Sequence, residues 1–335
     1  MVWNQNKREQ IMEVFKHDQE IIGFMANAKK FGLLSMTLII LSLGLLATKG
    51  LNYGIDFSGG TVVQVKYEGN APIAKVRTLL SKSKEYADAS VSFFGSDSEI
   101  AIRTKQTSKA VKGGIKDKIE SLLKDTGKFE IRGVDMVGPA VGDELRTQGL
   151  MAMLLSILGI LIYISFRFQW RFALASVMAL LHDVTITLGV LSLFQVDVNL
   201  PILAAILTIL GYSLNDTVIV FDRIREGIRT IKSIELSEVI DESVTRTLSR
   251  TTLTSLTTFF VVLTLYLFGG EILKGFSFTL LIGVVVGTYS SIFVASPILM
   301  WLKFSISEFR ESEAAKLKRE KEKEKMRAMY EQGTI

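Results

Sequence analysis

FALASVMALLHDVTITLGVLSLF, residues 172–194, is apolar from end to end, with one formal charge, Asp183, near its middle. About 20 such residues cross a ~30 Å hydrocarbon core as a helix, and this stretch meets that length. Working outward, five more stretches of the same kind flank it: 31–47 and 150–166 before it, and 198–221, 251–268 and 275–302 after it. The chain carries 39 Lys or Arg and 34 Asp or Glu, yet the six stretches contain only Asp183 and Asp216. The reading is a polytopic α-helical membrane protein with six transmembrane helices. A water-soluble enzyme is excluded. The absence of Cys removes disulfides and thiolate chemistry, and two His (His17 and His182) without an H-E-x-x-H pattern leave no zinc-protease signature, so no metal is expected.

Orientation follows from the basic residues of the short connections. Segment 1–30 holds five of them, the 167–171 link two, the 222–250 link six, and the tail after residue 302 nine. The alternate links, 195–197 and 269–274, hold Lys274 alone. The positive-inside asymmetry places both termini in the cytoplasm. Segment 1–30 is read as a cytoplasmic N-terminus with an interfacial helix (Ile11, Phe15, Ile21, Ile22, Phe24 and Met25 among lysines), and 303–335 as a charged cytoplasmic tail. Long loops translocate regardless of charge, so segment 48–148 faces outward.

Within 48–148 the pattern alternates between periods of two and 3.6 residues. Val63, Val65 and Tyr67 mark a strand, and Ile73, Val76, Leu79 and Leu80 a helix. Ser90–Phe94 and Glu99–Thr104 read as strands around a Gly-Ser-Asp-Ser turn. Val111, Ile115, Ile119, Leu122 and Leu123 mark a second helix and Phe129–Val134 a last strand. The order β-α-β-β-α-β predicts an α+β ferredoxin-like domain between helices 1 and 2. Its two junctions with the membrane are Gly-rich: Gly54, Gly59 and Gly60 before the first strand, and Gly138, Pro139 and Gly142 after the last. These residues serve either simple turns or a hinge pair.

A carboxylate at a helix centre costs about 2.5–3.5 kcal/mol, so intramembrane ionisable groups mark function by default. His182 and Asp183 sit at the midpoint of the third span. Asp216 lies six residues before Asp222, roughly 9 Å inside the boundary at 1.5 Å per residue. Arg250 opens the fifth span, followed by the hydroxyls of Thr251, Thr254, Ser255 and Thr258. Hydroxyls and Asn215 fit interhelical glue, worth about 0.6 kcal/mol each. Asp216 has no cation in any span at its own depth. It would pair with Arg250 reaching inward or be kept neutral by desolvation, and a group poised between these states is a candidate proton relay.

Three stretches carry a family resemblance. Gly54-Ile55-Asp56-Phe57-Ser58-Gly59-Gly60, Val137–Leu145 and above all Gly211–Glu226 (GYSLNDTVIVFDRIRE) resemble signature segments of the SecD/SecF family of protein-translocation accessory subunits, on its smaller, SecF side. The resemblance spans about residues 24 to 302. It implies a half of the resistance-nodulation-division (RND) type and a location in the bacterial cytoplasmic membrane. It implies SecD, the SecYEG channel, YajC and an unfolded preprotein as partners, with no nucleic acid among them. It also gives the positions of Asp216 and Arg250 to proton-driven work, with no cofactor beyond protons as the coupling ion; His182 and Asp183 remain relay candidates from their place in the span, His182 in support. One charge moved through 100 mV yields about 2.3 kcal/mol. Shifting a two-state equilibrium from 1:99 to 99:1 takes about 5.5 kcal/mol, so two or three protons suffice. No enzymatic activity is expected. The rival readings are half of a proton-coupled exporter of small or lipidic substrates, and an intramembrane aspartyl protease using Asp183 and Asp216. The latter is disfavoured by Leu214-Asn215-Asp216, which lacks G-x-G-D.

Overall fold

The computed structural model describes residues 21–106, 112–231, 233 and 235–331. Six helices among them are long and apolar enough to cross a membrane. They are α1 (Ala28–Thr48, preceded by a 3-10 turn at Met25–Asn27), α5 (Pro139–Arg167), α6 (Trp170–Phe194), α7 (Leu200–Thr230), α8 (Leu236–Phe268), and a last span made of α9 (Gly270–Phe293) and α10 (Ala295–Trp301). The interruption at Val294 has a local cause. Pro297 has no N–H for the Phe293 carbonyl, and its ring crowds that carbonyl.

The helices extend beyond the hydrophobic runs. The 222–250 link, expected as a loop, is mostly helix: α7 continues to Thr230 and α8 begins at Leu236. These extensions are amphipathic, and Ile224, Ile228, Val239, Ile240 and Val244 close a core at that end with no exposed surface. Packing divides the bundle. In their most hydrophobic windows α6 and the last span are 56% buried against 11% for α1 and α5, so the centre is built on α6, α7 and α9. The chain after the last span forms α11 (Ile306–Glu331), anchored where Arg310 donates to the carbonyls of Ile228 and Ile231 at 2.8 and 2.7 Å. The expected interfacial helix falls mostly on residues 1–20, outside the described residues, and residues 21–23 are not helical.

The sheet domain consists of β2 (Gly60–Tyr67), α3 (Ile73–Lys82), β3 (Ser90–Phe94), β4 (Ser96–Thr104), α4 (Lys112–Leu123) and β5 (Phe129–Val137). Its strands lie in the order β3-β4-β2-β5, all pairs antiparallel. The alternating residues perform as their pattern requires: Val63, Val65, Ile100 and Ile102 point to one face, buried against Val76 and Leu80 of α3 and Ile115, Ile119 and Leu123 of α4. Val111, expected in the second helix, lies outside the described residues. The hairpin connection is tighter than expected. Gly95 alone, at φ 80°, separates β3 from β4, and Ser96, Asp97 and Ser98 belong to the strand.

Sheet domain and bundle meet at several points. A short parallel pair joins β1 (Asn52–Tyr53) to β6 (Asp197–Val198) in the α6–α7 link. Arg103 of β4 forms an ion pair with Asp197. A single helical turn, α2 (Ile55–Ser58), fills the first junction, and the side chain of Asp56 accepts from the Leu200 N–H at the start of α7 at 3.0 Å. Asn199 caps the same helix by accepting from Ile202 N–H at 3.1 Å.

Candidate functional site

The intramembrane polar residues converge on the middle of the bundle. His182 and Asp183, adjacent on α6, are both buried, with His182 Nδ1 2.8 Å from Asp183 Oδ1. The second oxygen of Asp183 accepts from Ser213 of α7 at 2.5 Å and from Ser290 of α9 at 2.7 Å. One turn beyond Ser213, buried Asp216 accepts from Ser255 of α8 at 3.2 Å. Thr288 of α9 lies 2.8 Å from the Ser255 hydroxyl. Since Ser213 and Asp216 are three residues apart on α7, they share a face, and four helices contribute to one polar cluster around two carboxylates.

The cluster is not saturated. Asp216 Oδ1, His182 Nε2, Tyr212 Oη and Thr251 Oγ1 are buried without a hydrogen-bond partner among the described residues. Buried polar groups are normally paired, so Asp216 Oδ1 and His182 Nε2, on the two cluster groups that can titrate, leave positions that can take up or pass on a proton. Tyr289 connects the cluster to the peripheral helix α1. Its ring stacks on His182 at 6.2 Å between centroids, and its hydroxyl donates to the Phe31 carbonyl at 2.8 Å and lies 2.9 Å from Ser35 Oγ.

Of the two alternatives expected for Asp216, the ion pair with Arg250 is not formed. Arg250 occupies an exposed position of α8, and no ion pair involving it is present among the described residues. The turn of α8 that faces Asp216 carries Ser255 instead, and the Arg250 charge reaches Asp216 only through space. Asn215, one residue from Asp216, points outward, because adjacent residues on a helix are ~100° apart. Asp222 is exposed, 3.8 Å from Arg167, and Thr254 is exposed and bonds back to the Arg250 carbonyl at 3.0 Å. Of the supporting polar residues read from sequence, Ser255 alone enters the cluster. Thr288, Tyr289 and Ser290 were not singled out. Their signal was present as Thr-Tyr-Ser-Ser in an otherwise apolar span.

The two Gly-rich junctions form a single joint. Gly59 sits at φ 68° and ψ 165°, and a methyl group on it would lie 2.9 Å from Pro139 Cα. A methyl on Gly142 would lie 2.9 Å from Gly59 N, and one on Gly60, at φ 132°, 2.6 Å from the Thr104 carbonyl. Gly54 donates its N–H to Val198 O at 2.8 Å, whereas Gly138 has open space around it and precedes Pro139 at the start of α5. Close approach of backbones, rather than turn chemistry alone, accounts for the glycines at 59, 60 and 142.

The sequence matches two family models: "Protein export membrane protein SecD/SecF, C-terminal" over residues 118–305, and "SecD/SecF GG Motif" over residues 44–71, which includes Gly59 and Gly60. Among curated proteins, the protein translocase subunit SecF of Helicobacter pylori strain J99 is 47% identical over 324 residues, covering 97% of this chain and 100% of the relative. SecF of Vibrio alginolyticus is 46% identical, covering 85% and 90% of the two chains. SecF of Escherichia coli O157:H7 is 40% identical, covering 88% and 92%. Among solved structures, SecDF from Thermus thermophilus, a translocon-associated membrane protein, superposes with a TM-score of 0.78 at 35% identity over 85% of this chain. A structure of SecDF in a super-membrane-facing form gives 0.64. The chain spans 39% and 40% of the length of these two SecDF chains.

Proposed function

This chain belongs to the SecF side of the SecD/SecF family, and from that premise we propose that it works as a proton-driven accessory subunit of the Sec translocase, promoting export of unfolded preproteins. Asp216 takes up and releases the proton. Ser255 holds one of its oxygens and the other stays open to exchange. The Asp183–His182 pair forms a second station, linked through Ser213, which shares a helix face with Asp216. Arg250 acts on the cluster through its charge from the basic end of the bundle. That end faces the cytoplasm with both termini, and the ferredoxin-like sheet domain lies on the outer side. The working partners are a SecD chain supplying the other half, the SecYEG channel and YajC. The chain is not an enzyme, and protons alone couple its work.

The observation that carries this reading is the unpaired oxygen of Asp216, buried inside a hydrogen-bonded cluster in the middle of a membrane bundle. Buried polar atoms are normally paired, so an unpaired carboxylate oxygen here supports exchange over simple interhelical glue. The test is Asp216→Asn in membrane vesicles carrying the translocase. Gradient-dependent stimulation of preprotein export is lost while SecD association survives. Unchanged stimulation in that variant would remove the relay and leave a scaffold.

A further inference from the structure

Between the sheet domain and the bundle lies a cleft of about 590 Å³. One wall is the sheet face turned away from α3 and α4, carrying Val62, Gln64, Ser92 and Ala101. The floor is aromatic: Phe194 meets Phe278 edge-on at 5.6 Å between centroids, and Tyr266 meets Phe278 at 6.1 Å. Two contacts bound the cleft. The Arg103–Asp197 ion pair ties β4 to the α6–α7 link, and the tight turn at Gly95 rests on the side chain of Glu271. The proton chemistry assigned to the bundle uses none of these residues.

We propose that this cleft seats an extended segment of the polypeptide being translocated. The proposal rests on the translocase reading above. Its volume lies within the roughly 300–1,000 Å³ of binding pockets, which suits an extended segment rather than a folded domain. Each cation of the lining is matched by a carboxylate, Arg103 by Asp197 and Lys274 by Glu271. A phosphate headgroup or other anion therefore finds no uncompensated charge, whereas a neutral peptide needs none. The aromatic floor accepts apolar side chains of many shapes. Gln64 and Ser92 make no side-chain hydrogen bonds among the described residues and face the cleft, available to peptide groups that every sequence presents. This combination is tolerant of sequence, as a surface for successive parts of an unfolded chain must be.

The test uses the full translocase in membrane vesicles with a preprotein stalled in transit. A photo-crosslinking benzophenone side chain is placed at residue 64 or 92 in the cleft, and at Thr78 or Ser121 as exposed controls on the helix-covered side of the domain. Positions 64 and 92 are expected to yield preprotein adducts severalfold above the controls, and Ser92→Trp is expected to abolish the adduct from position 64. Equal adducts at all four sites, lipid as the captured species, or no adduct from the cleft would each overturn the proposal. Gradient-driven stimulation of export is measured in the same vesicles. Its persistence without cleft adducts removes the cleft alone, and its absence with the unsubstituted chain removes the translocase reading itself.

Discussion

Replacing Gly59 by Ala tests whether the joint between sheet domain and bundle depends on close backbone approach. At φ 68° and ψ 165° the residue occupies a region that only glycine adopts readily. The added methyl would also sit 2.9 Å from Pro139 Cα, a backbone atom that cannot rotate away. Strain of about 1–3 kcal/mol and overpacking of about 1–3 kcal/mol together give roughly 2–6 kcal/mol, a large share of the ~5–15 kcal/mol that holds a domain folded. Gly138→Ala is the internal control. Its φ of −68° and ψ of 148° suit any residue, and no atom lies within 4 Å of the new methyl. That substitution should be neutral or stabilise by about 0.4–1 kcal/mol through the unfolded chain. Pulse proteolysis of the full chain in detergent, following cleavage within 60–137, reads both. Equal damage from the two alanines would refute the close-approach argument and return the glycines to a hinge whose mobility matters.

Four further outcomes follow from particular contacts. Ser255→Ala removes the donor to Asp216 and breaks its link to Thr288, so export stimulation should fall while SecD association is kept; vesicle export with co-purification reads it, and full activity would count against Ser255 as a working part. Tyr289→Phe keeps the ring on His182 but drops the hydroxyl contacts to Phe31 and Ser35, costing about 0.5–1.5 kcal/mol per hydrogen bond and loosening α1, visible as faster proteolysis at the α1 end. Arg310→Ala leaves the last carbonyls of α7 without their cation and should expose α11 to trypsin, with spans one to six intact. In the sheet domain, burial raises the Tyr67 phenol above its ordinary 10.0. The folded state thus holds this proton more tightly, so the contribution is complete below about pH 10 and is lost as pH rises through the folded value. Tyr67→Phe should flatten the alkaline limb of the domain's stability curve, followed by tyrosine absorbance against unfolding.

Much of the architecture was legible because its signal is periodic. Val63, Val65, Ile100 and Ile102 alternate, and that alternation alone assigns them to the covered face of the sheet. The six spans were legible because a missing charge over about 20 residues has one physical explanation. What the sequence hid is facing. In water, a helix's polar side marks its exposed side, but lipid and protein interior are equally apolar, so hydropathy cannot tell which side of a span meets a neighbour. Asn215 and Asp216 show the consequence: adjacent polar residues on one helix, of which one points outward and the other into the cluster. The same blindness hides Ser290 and Thr288 in an apolar run, and offers Arg250, at the start of the fifth span, as a partner for Asp216 although its position on α8 is exposed.

The observed pairing resolves this in favour of hydroxyls. A buried full ion pair would bind Asp216 in its charged form and resist release of the arginine. A serine that can donate to one oxygen, or turn to accept from a protonated one, tolerates both states of the carboxyl. Ser255 at Asp216, and Ser213 with Ser290 at Asp183, are partners of that kind on three different helices. A change of protonation at Asp183 would therefore be felt by hydroxyls of α7 and α9, and one at Asp216 by Ser255 of α8 and, beyond it, Thr288 of α9. Since α7, capped by Asn199, begins at Leu200, directly after the strand pair and the Arg103–Asp197 contact that tie the bundle to the sheet domain, a rearrangement of α7 would have a direct mechanical route to that domain.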